Sequence, residues 1–248
     1  MLPSQLMYAN FENGEKYCML HVKQVNNGKI KNAESTLKWL LKSDVTLANR
    51  IIHAYCYTYT KEKSGQPYYD PCKCLYYWIG DKIIGKFNDS YIFVSRMKAI
   101  YQELQKLGLP SQCNNIYPDM SSYIFSERKK IFNYNYNYQE LMKQPGNNKY
   151  ICTTQIEQCQ KDAKGAYDSL ISICNDDHES YCIDFKTSGR KGKSQVVSEL
   201  KCEKVRGADF ATNERSEDTT DKHSQEKVFL AKERKQKVLK VKISKRNV

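Results

Sequence analysis

The sequence predicts an all-α fold: a disulfide-stapled, bundle-like helical domain followed by a disordered basic C-terminal tail. Three observations point there. Apolar residues recur at three- and four-residue steps in segment after segment, the period of one helix face. Ten cysteines are spread along the 248 residues, an even number suited to disulfides in an oxidising compartment. Beyond Phe185 basic residues accumulate, and between Lys201 and Lys227 the large apolar residues thin out, which removes the means of forming a core there.

The elements follow in order. A first helix is expected over residues 5–25. Over residues 36–55 one stripe runs through Leu37, Leu40, Leu41, Leu47, Ala48, Ile51, Ile52 and Tyr55. The alternation at Tyr55–Thr60 is a weak strand signal that merely continues this stripe. Asp70-Pro71 reads as a helix entry, with Asp as cap and Pro in the first turn, opening a helix over 72–87 with Leu75, Ile79, Ile83 and Phe87 four apart. The stripe Phe93, Met97, Ile100, Leu104 and Leu107 predicts a helix over 90–107, stopped by Gly108 and Pro110. A further helix is expected over 120–142. Over 152–174 the stripe Cys152, Ile156, Cys159, Ala163, Tyr167, Leu170 and Cys174 places three cysteines on one inward face, as staples to neighbouring helices. The domain is therefore expected to span 1–185, with the tail at 186–248.

The net charge is +12, of which the tail supplies +9 through 18 Lys+Arg against 9 Asp+Glu. Such a field attracts anionic surfaces and says nothing about fold. The 19 tyrosines, with abundant Asn, Lys and Ile, share AT-rich codons; exposed tyrosine is also good contact surface, and the run at Asn133–Tyr138 is the first candidate for one. Exposed loops are expected at 61–69, 109–118 and 133–149.

The disulfide candidates are Cys18, Cys56, Cys72, Cys74, Cys113, Cys152, Cys159, Cys174, Cys182 and Cys202. Zinc is disfavoured, since structural sites usually need paired C-x2-C or H-x3-H spacings. Here the nearest cysteines are Cys72 and Cys74, and His21, His53, His178 and His223 lie far apart. Buried reduced thiols are the other alternative. The expected pairing joins Cys72 or Cys74 to Cys18 or Cys56, and pairs some of Cys152, Cys159, Cys174 and Cys182 locally.

Catalysis finds no motif: there is no phosphate-binding glycine loop, no H-E-x-x-H and no G-x-S-x-G. No catalytic residue, cofactor or metal ligand is therefore assigned, and no small-molecule substrate is expected. Asp176-Asp177-His178-Glu179 reads as an exposed loop, and Asn88-Asp89-Ser90 as a helix cap more than a glycosylation site. The tail's basic clusters lack interleaved aromatics apart from Phe229, which argues against nucleic acid and leaves an anionic membrane surface as a tail partner. No stretch reaches the ~20 apolar residues that span a bilayer, and Met1–Met7 has no basic, apolar signal-peptide pattern.

One stretch is more specific: Cys72-Lys73-Cys74-Leu75-Tyr76-Tyr77-Trp78-Ile79-Gly80-Asp81-Lys82-Ile83. Together with Leu2-Pro3-Ser4, Tyr150-Ile151-Cys152, Leu170-Ile171-Ser172-Ile173-Cys174, Tyr181-Cys182 and Ser198-Glu199-Leu200-Lys201-Cys202, in that order, it resembles the Plasmodium interspersed-repeat variant antigens, VIR-type members above all. The motif core is Leu75, Tyr77, Trp78, Ile79, Asp81 and Lys82. The resemblance implies a helical, non-catalytic ectodomain exported to the infected erythrocyte, at its surface or internal membranes. It implies roles in antigenic variation, adhesion or immune interaction, with a host receptor or antibody as partner. Family members also carry a membrane span downstream of the position of Cys202, whereas residues 203–248 here are polar and basic throughout. Soluble or peripheral placement follows as an expectation. The competing readings are an intracellular nucleic-acid or anionic-surface binder acting through the tail, and a truncated, non-functional family member.

Overall fold

The computed structural model describes residues 1–13, 18, 25–63, 70–87, 89–111, 113–143, 150–151, 153–175, 179–190 and 202–203, and among these lie eight helices and one short parallel strand pair. All of them lie in one unit, Met1–Lys204. The helices are α1 (Pro3–Glu12), α2 (Asn27–Leu40), α3 (Val45–Lys63), α4 (Pro71–Ile84), α5 (Ser90–Gln105), α6 (Ser122–Met142), α7 (Thr154–Ile173) and α8 (Ser180–Arg190). Strands β1 (Tyr150–Ile151) and β2 (Cys202–Glu203) pair in parallel with Tyr150 opposite Cys202.

Helix ends are set by local chemistry. Asn26 caps α2 by accepting from the Lys29 N–H, and Asp70 caps α4 by accepting from Cys72 and Lys73, with Pro71 in the first turn. Asp89 caps α5 through the Ile92 N–H, Ser121 caps α6 and Thr153 caps α7. Each cap satisfies a backbone donor that the helix leaves open. Gly108, at φ 73°, supplies the left-handed turn that ends the α5 region, as its position after Leu107 predicts.

Helix α4 is the centre of the domain and packs against α1, α3, α5 and α6. Its buried face is nearly continuous, from Cys74 through Gly80 to Ile83, so it is apolar most of the way round. Aromatic rings fill the space about it: Tyr76 meets Tyr77, Tyr101, Tyr117 and Phe125 edge-on or tilted, at centroid separations of 5.5–6.3 Å. Gly80 allows α6 to approach, because a Cβ there would stand 2.2 Å from the Phe125 ring. Helices α6 and α7 form the most extensive pair, around Tyr134, Ile156 and Ala163.

Three expectations are corrected. Helix α1 ends at Glu12 instead of running on as one helix to Val25. The stripe over 36–55 is two helices, broken where Lys42 and Ser43 take positive φ (55° and 67°) and turn the chain. The run at Asn133–Tyr138 is helical, and its Tyr134 and Asn137 are buried. Helix α8 ends at Arg190. Apart from β2, the rest of the tail, with its basic amphipathic segment, lies outside the described residues.

Candidate interaction surface

At the corner between α2 and α3 the sequence sets a buried face against an exposed aromatic. Ile30, Ala33, Leu37 and Leu40 form the inner stripe of α2, so Trp39 falls off it and is 73% exposed. The turn that follows is closed by the Ser43 N–H donating to the Lys38 carbonyl at 2.8 Å. Asp44 then accepts from the Leu47 N–H at 2.8 Å and opens α3. Across from it, Lys86 pairs with Asp44 at 2.7 Å, and Lys42 donates to the Lys86 carbonyl at 3.0 Å while lying 4.6 Å from the Phe87 ring. The hydrogen bond from Lys86, the one from the Leu47 N–H and the charges nearby hold the Asp44 carboxyl below its ordinary range. The Arg96 guanidinium of α5 sits 5.2 Å from the Trp39 ring and 5.5 Å from Phe87. Lys42, Lys86, Phe87, Asp89, Ile92, Ser95 and Arg96 line an open groove of about 580 Å³ beside it.

Two polar clusters elsewhere are half-buried and bind helix to helix. Arg128 of α6 donates to the Tyr181 carbonyl at 2.6 Å, to Asp184 at 2.7 Å and to the Tyr117 hydroxyl at 3.0 Å. The Tyr117 hydroxyl also donates to Asp184. Burial alone would raise the Asp184 pKa, yet Tyr117, Lys73 and Arg128 together bring it below the usual value. The second cluster converges on Glu12 at the end of α1. It accepts from the Trp78 indole N–H at 3.1 Å and from Arg50 at 3.1 Å, and pairs with Lys82. Here too burial pushes the carboxyl up, and Lys82, Trp78 and Arg50 together push it further down.

This second cluster explains the sequence motif. Leu75, Tyr77, Trp78 and Ile79 are buried on α4. Trp78 and Lys82 stand one turn apart, so both reach Glu12, while Asp81 faces the other way and meets Lys129 of α6 at 2.5 Å. The motif is the means by which the central helix holds α1 and α6. Glu12 itself is invisible to sequence reasoning, because nothing local marks an acid as the meeting point of three distant donors.

Among the described residues the cysteines form three disulfides: Cys18–Cys56, Cys72–Cys113 and Cys174–Cys182. The expected link of Cys72 or Cys74 to Cys18 or Cys56 is therefore replaced: Cys18 and Cys56 join each other, and Cys72 ties α4 to the 109–121 segment. The local pairing Cys174–Cys182 joins the end of α7 to α8. Cys74 is buried and unpaired, and Cys159 is half-buried and unpaired, its sulfur accepting from the Asn137 side-chain amide at 3.5 Å. Burial raises both thiol pKa values. So Cys159 is not the staple its stripe position suggested; Cys152 lies outside the described residues, and of Cys202 only the backbone is described. Glu62, Cys72 and Cys113 cluster as three metal-type ligands, but the two sulfurs are one disulfide and offer no thiolate.

The geometry defines a class: a disulfide-stapled, all-α domain whose sequence signature builds the core, with a cation–aromatic groove on its surface. The family model described as Plasmodium vivax Vir protein matches residues 2–247, and the chain belongs to that family. No curated protein and no solved structure matches it. Membership suggests a variant surface antigen, in a family of antigens and not of enzymes, and suggests export by the parasite. Among the described residues no helix is long and apolar enough to cross a membrane.

Proposed function

We propose that the chain is a non-catalytic variant antigen exported to the infected host erythrocyte, acting in antigenic variation, adhesion or host-immune interaction through side chains displayed on a stapled helical body. One observation supports this above the rest: the family signature Leu75–Lys82 forms the core and its inter-helix ties, so exposed positions such as Trp39, Tyr91 and Tyr123 are left to vary without unfolding the domain. Disulfides assist by restricting the unfolded chain, each typically contributing ~2–4 kcal/mol. The partner on this reading is a host receptor or an antibody.

The test is imaging of infected erythrocytes with an antibody to the folded body, with and without permeabilisation. Labelling of intact cells, or of membranes outside the parasite, is expected. Signal confined to the parasite interior would overturn the proposal. The basic tail motivates a second reading, binding to an anionic membrane surface; it requires that deletion of residues 186–248 abolish binding and that binding fall steeply with salt.

A further inference from the structure

We propose that the groove lined by Lys42, Phe87 and Arg96, together with the exposed Trp39 beside it, is a binding site for an acidic saccharide, one bearing a carboxylate or sulfate group. This deepens the recognition reading by giving the surface a ligand chemistry, and it rests on that reading only in assigning the site a biological use.

Three independent features converge there. The first is Trp39, whose indole is 73% exposed on a helix that buries its other large apolar residues. A flat exposed indole offers a face on which the C–H side of a sugar ring can lie, while the sugar hydroxyls remain in water. The second is Arg96. Its guanidinium rests between two rings, 5.2 Å from Trp39 and 5.5 Å from Phe87, and it makes no ion pair among the described residues. Cation–π contact with two rings holds the guanidinium in place while leaving N–H donors to an incoming carboxylate or sulfate, which a guanidinium can bind through two parallel hydrogen bonds. The two acids bordering the groove are already engaged: Asp44 by Lys86 and the Leu47 N–H, and Asp89 by the Ile92 N–H. Arg96 is then the cation of the groove that faces no carboxylate partner among the described residues, while Lys42 keeps N–H donors beyond the one it gives to the Lys86 carbonyl.

The third feature is the backbone at Lys42. Both Lys42 and Ser43 have positive φ, a conformation that costs a residue with a Cβ about 1 kcal/mol relative to glycine. Glycine is the usual solution at the end of a helix. Here a lysine takes that place, with its ammonium 3.0 Å from the Lys86 carbonyl and 4.6 Å from the Phe87 ring, at the mouth of the groove. A side chain held at a strained backbone position is the pattern expected where that side chain serves a site.

The aromatic face and the cationic fork together select the ligand. A neutral sugar would use Trp39 and leave Arg96 unanswered. A bare phosphate or sulfate would use Arg96 and leave Trp39 unanswered. A sugar carrying an anionic group on one edge answers both.

The experiment uses the full chain, its disulfides intact, on an array or calorimeter with three probes: a sialylated lactose, a sulfated disaccharide and neutral lactose. Vesicles containing phosphatidylserine form a fourth arm. Binding to at least one acidic saccharide is expected, weaker by tenfold or more with lactose. Trp39→Ala and Arg96→Ala are each expected to weaken it by about tenfold. Both side chains lie at the surface, so the thermal midpoint serves to confirm that the variants are folded. Lys42→Gly removes the strain along with the charge, and is expected to bind less well without losing stability. Acidic-saccharide binding that is equal in wild type, Trp39→Ala and Arg96→Ala would assign it to the tail and overturn the proposal. Vesicle binding without saccharide binding would overturn it as well, as would no binding to any probe. None of these results bears on whether the chain reaches the infected-cell surface, so the two proposals fail separately.

Discussion

Arg128 of α6 and Asp184 of α8 meet at 2.7 Å, and with them the last described helix is joined to α6. The pair is half-buried, and the same guanidinium also donates to the Tyr181 carbonyl and the Tyr117 hydroxyl. Removing the arginine strands an acid and a carbonyl together. Arg128→Ala is therefore expected to destabilise the domain by about 2–4 kcal/mol, measured as the free energy of urea unfolding. Arg128→Lys should recover only part of the loss, since one ammonium cannot replace the fork.

Acid should weaken the domain through Glu12 and Asp184. Both carboxyls are held below their ordinary pKa values in the folded state. A group of this kind binds protons more readily once unfolded. Its contribution is complete above the unfolded pKa and is lost as the pH falls through the folded one. Stability is expected to be level near neutrality and to decline below about pH 5. Glu12→Gln should start lower at pH 7 and decline less steeply, as followed by unfolding midpoints across the acid range.

Two glycines should respond to alanine in opposite directions. Gly80 faces the Phe125 ring, where a Cβ would stand at 2.2 Å, so Gly80→Ala must push α4 and α6 apart. A loss of about 1–3 kcal/mol is expected. Gly165 of α7 is exposed and has nothing within 4 Å of the same added carbon. Gly165→Ala should stabilise by about 0.5–1 kcal/mol, through helix propensity alone. Thermal melts of the two variants give the comparison.

The two thiols that are unpaired among the described residues should differ in reactivity. Cys74 is fully buried beside the central aromatic cluster, whereas Cys159 is partly exposed at a groove between α1, α6 and α7. In the native protein a small alkylating reagent is expected to label Cys159 first. Labelling of Cys74 should require unfolding, which mass spectrometry of the alkylated peptides reads directly.

Much of this fold is legible in the sequence because a helix face is a local pattern. The stripes through Phe93–Leu107 and Ile156–Leu170 predict α5 and α7, and Asp70-Pro71 opens α4 as written. The break at Lys42 and Ser43 is not legible, since two residues with side chains occupy backbone positions that glycine would have announced. Nor is the burial of the Asn133–Tyr138 run. Its composition suits a contact surface, but Asn137 accepts from the Ser4 N–H at 2.7 Å and Asn133 accepts from the Tyr8 hydroxyl at 2.6 Å, and these partners come from the far end of the chain. Disulfide pairing is hidden for the same reason: Cys18 and Cys56 are 38 residues apart, and only the fold brings them together. The surface groove escaped notice because Trp39, Lys42, Phe87 and Arg96 come from three separate segments, none unusual alone.

Peptide mapping of the protein from infected cells, under non-reducing conditions with free thiols blocked at lysis, tests the stapled-antigen reading most directly. The expected map contains Cys18–Cys56, Cys72–Cys113 and Cys174–Cys182, with Cys74 and Cys159 recovered as blocked thiols. Recovery of all these cysteines as free thiols would place the protein in a reducing compartment and contradict it.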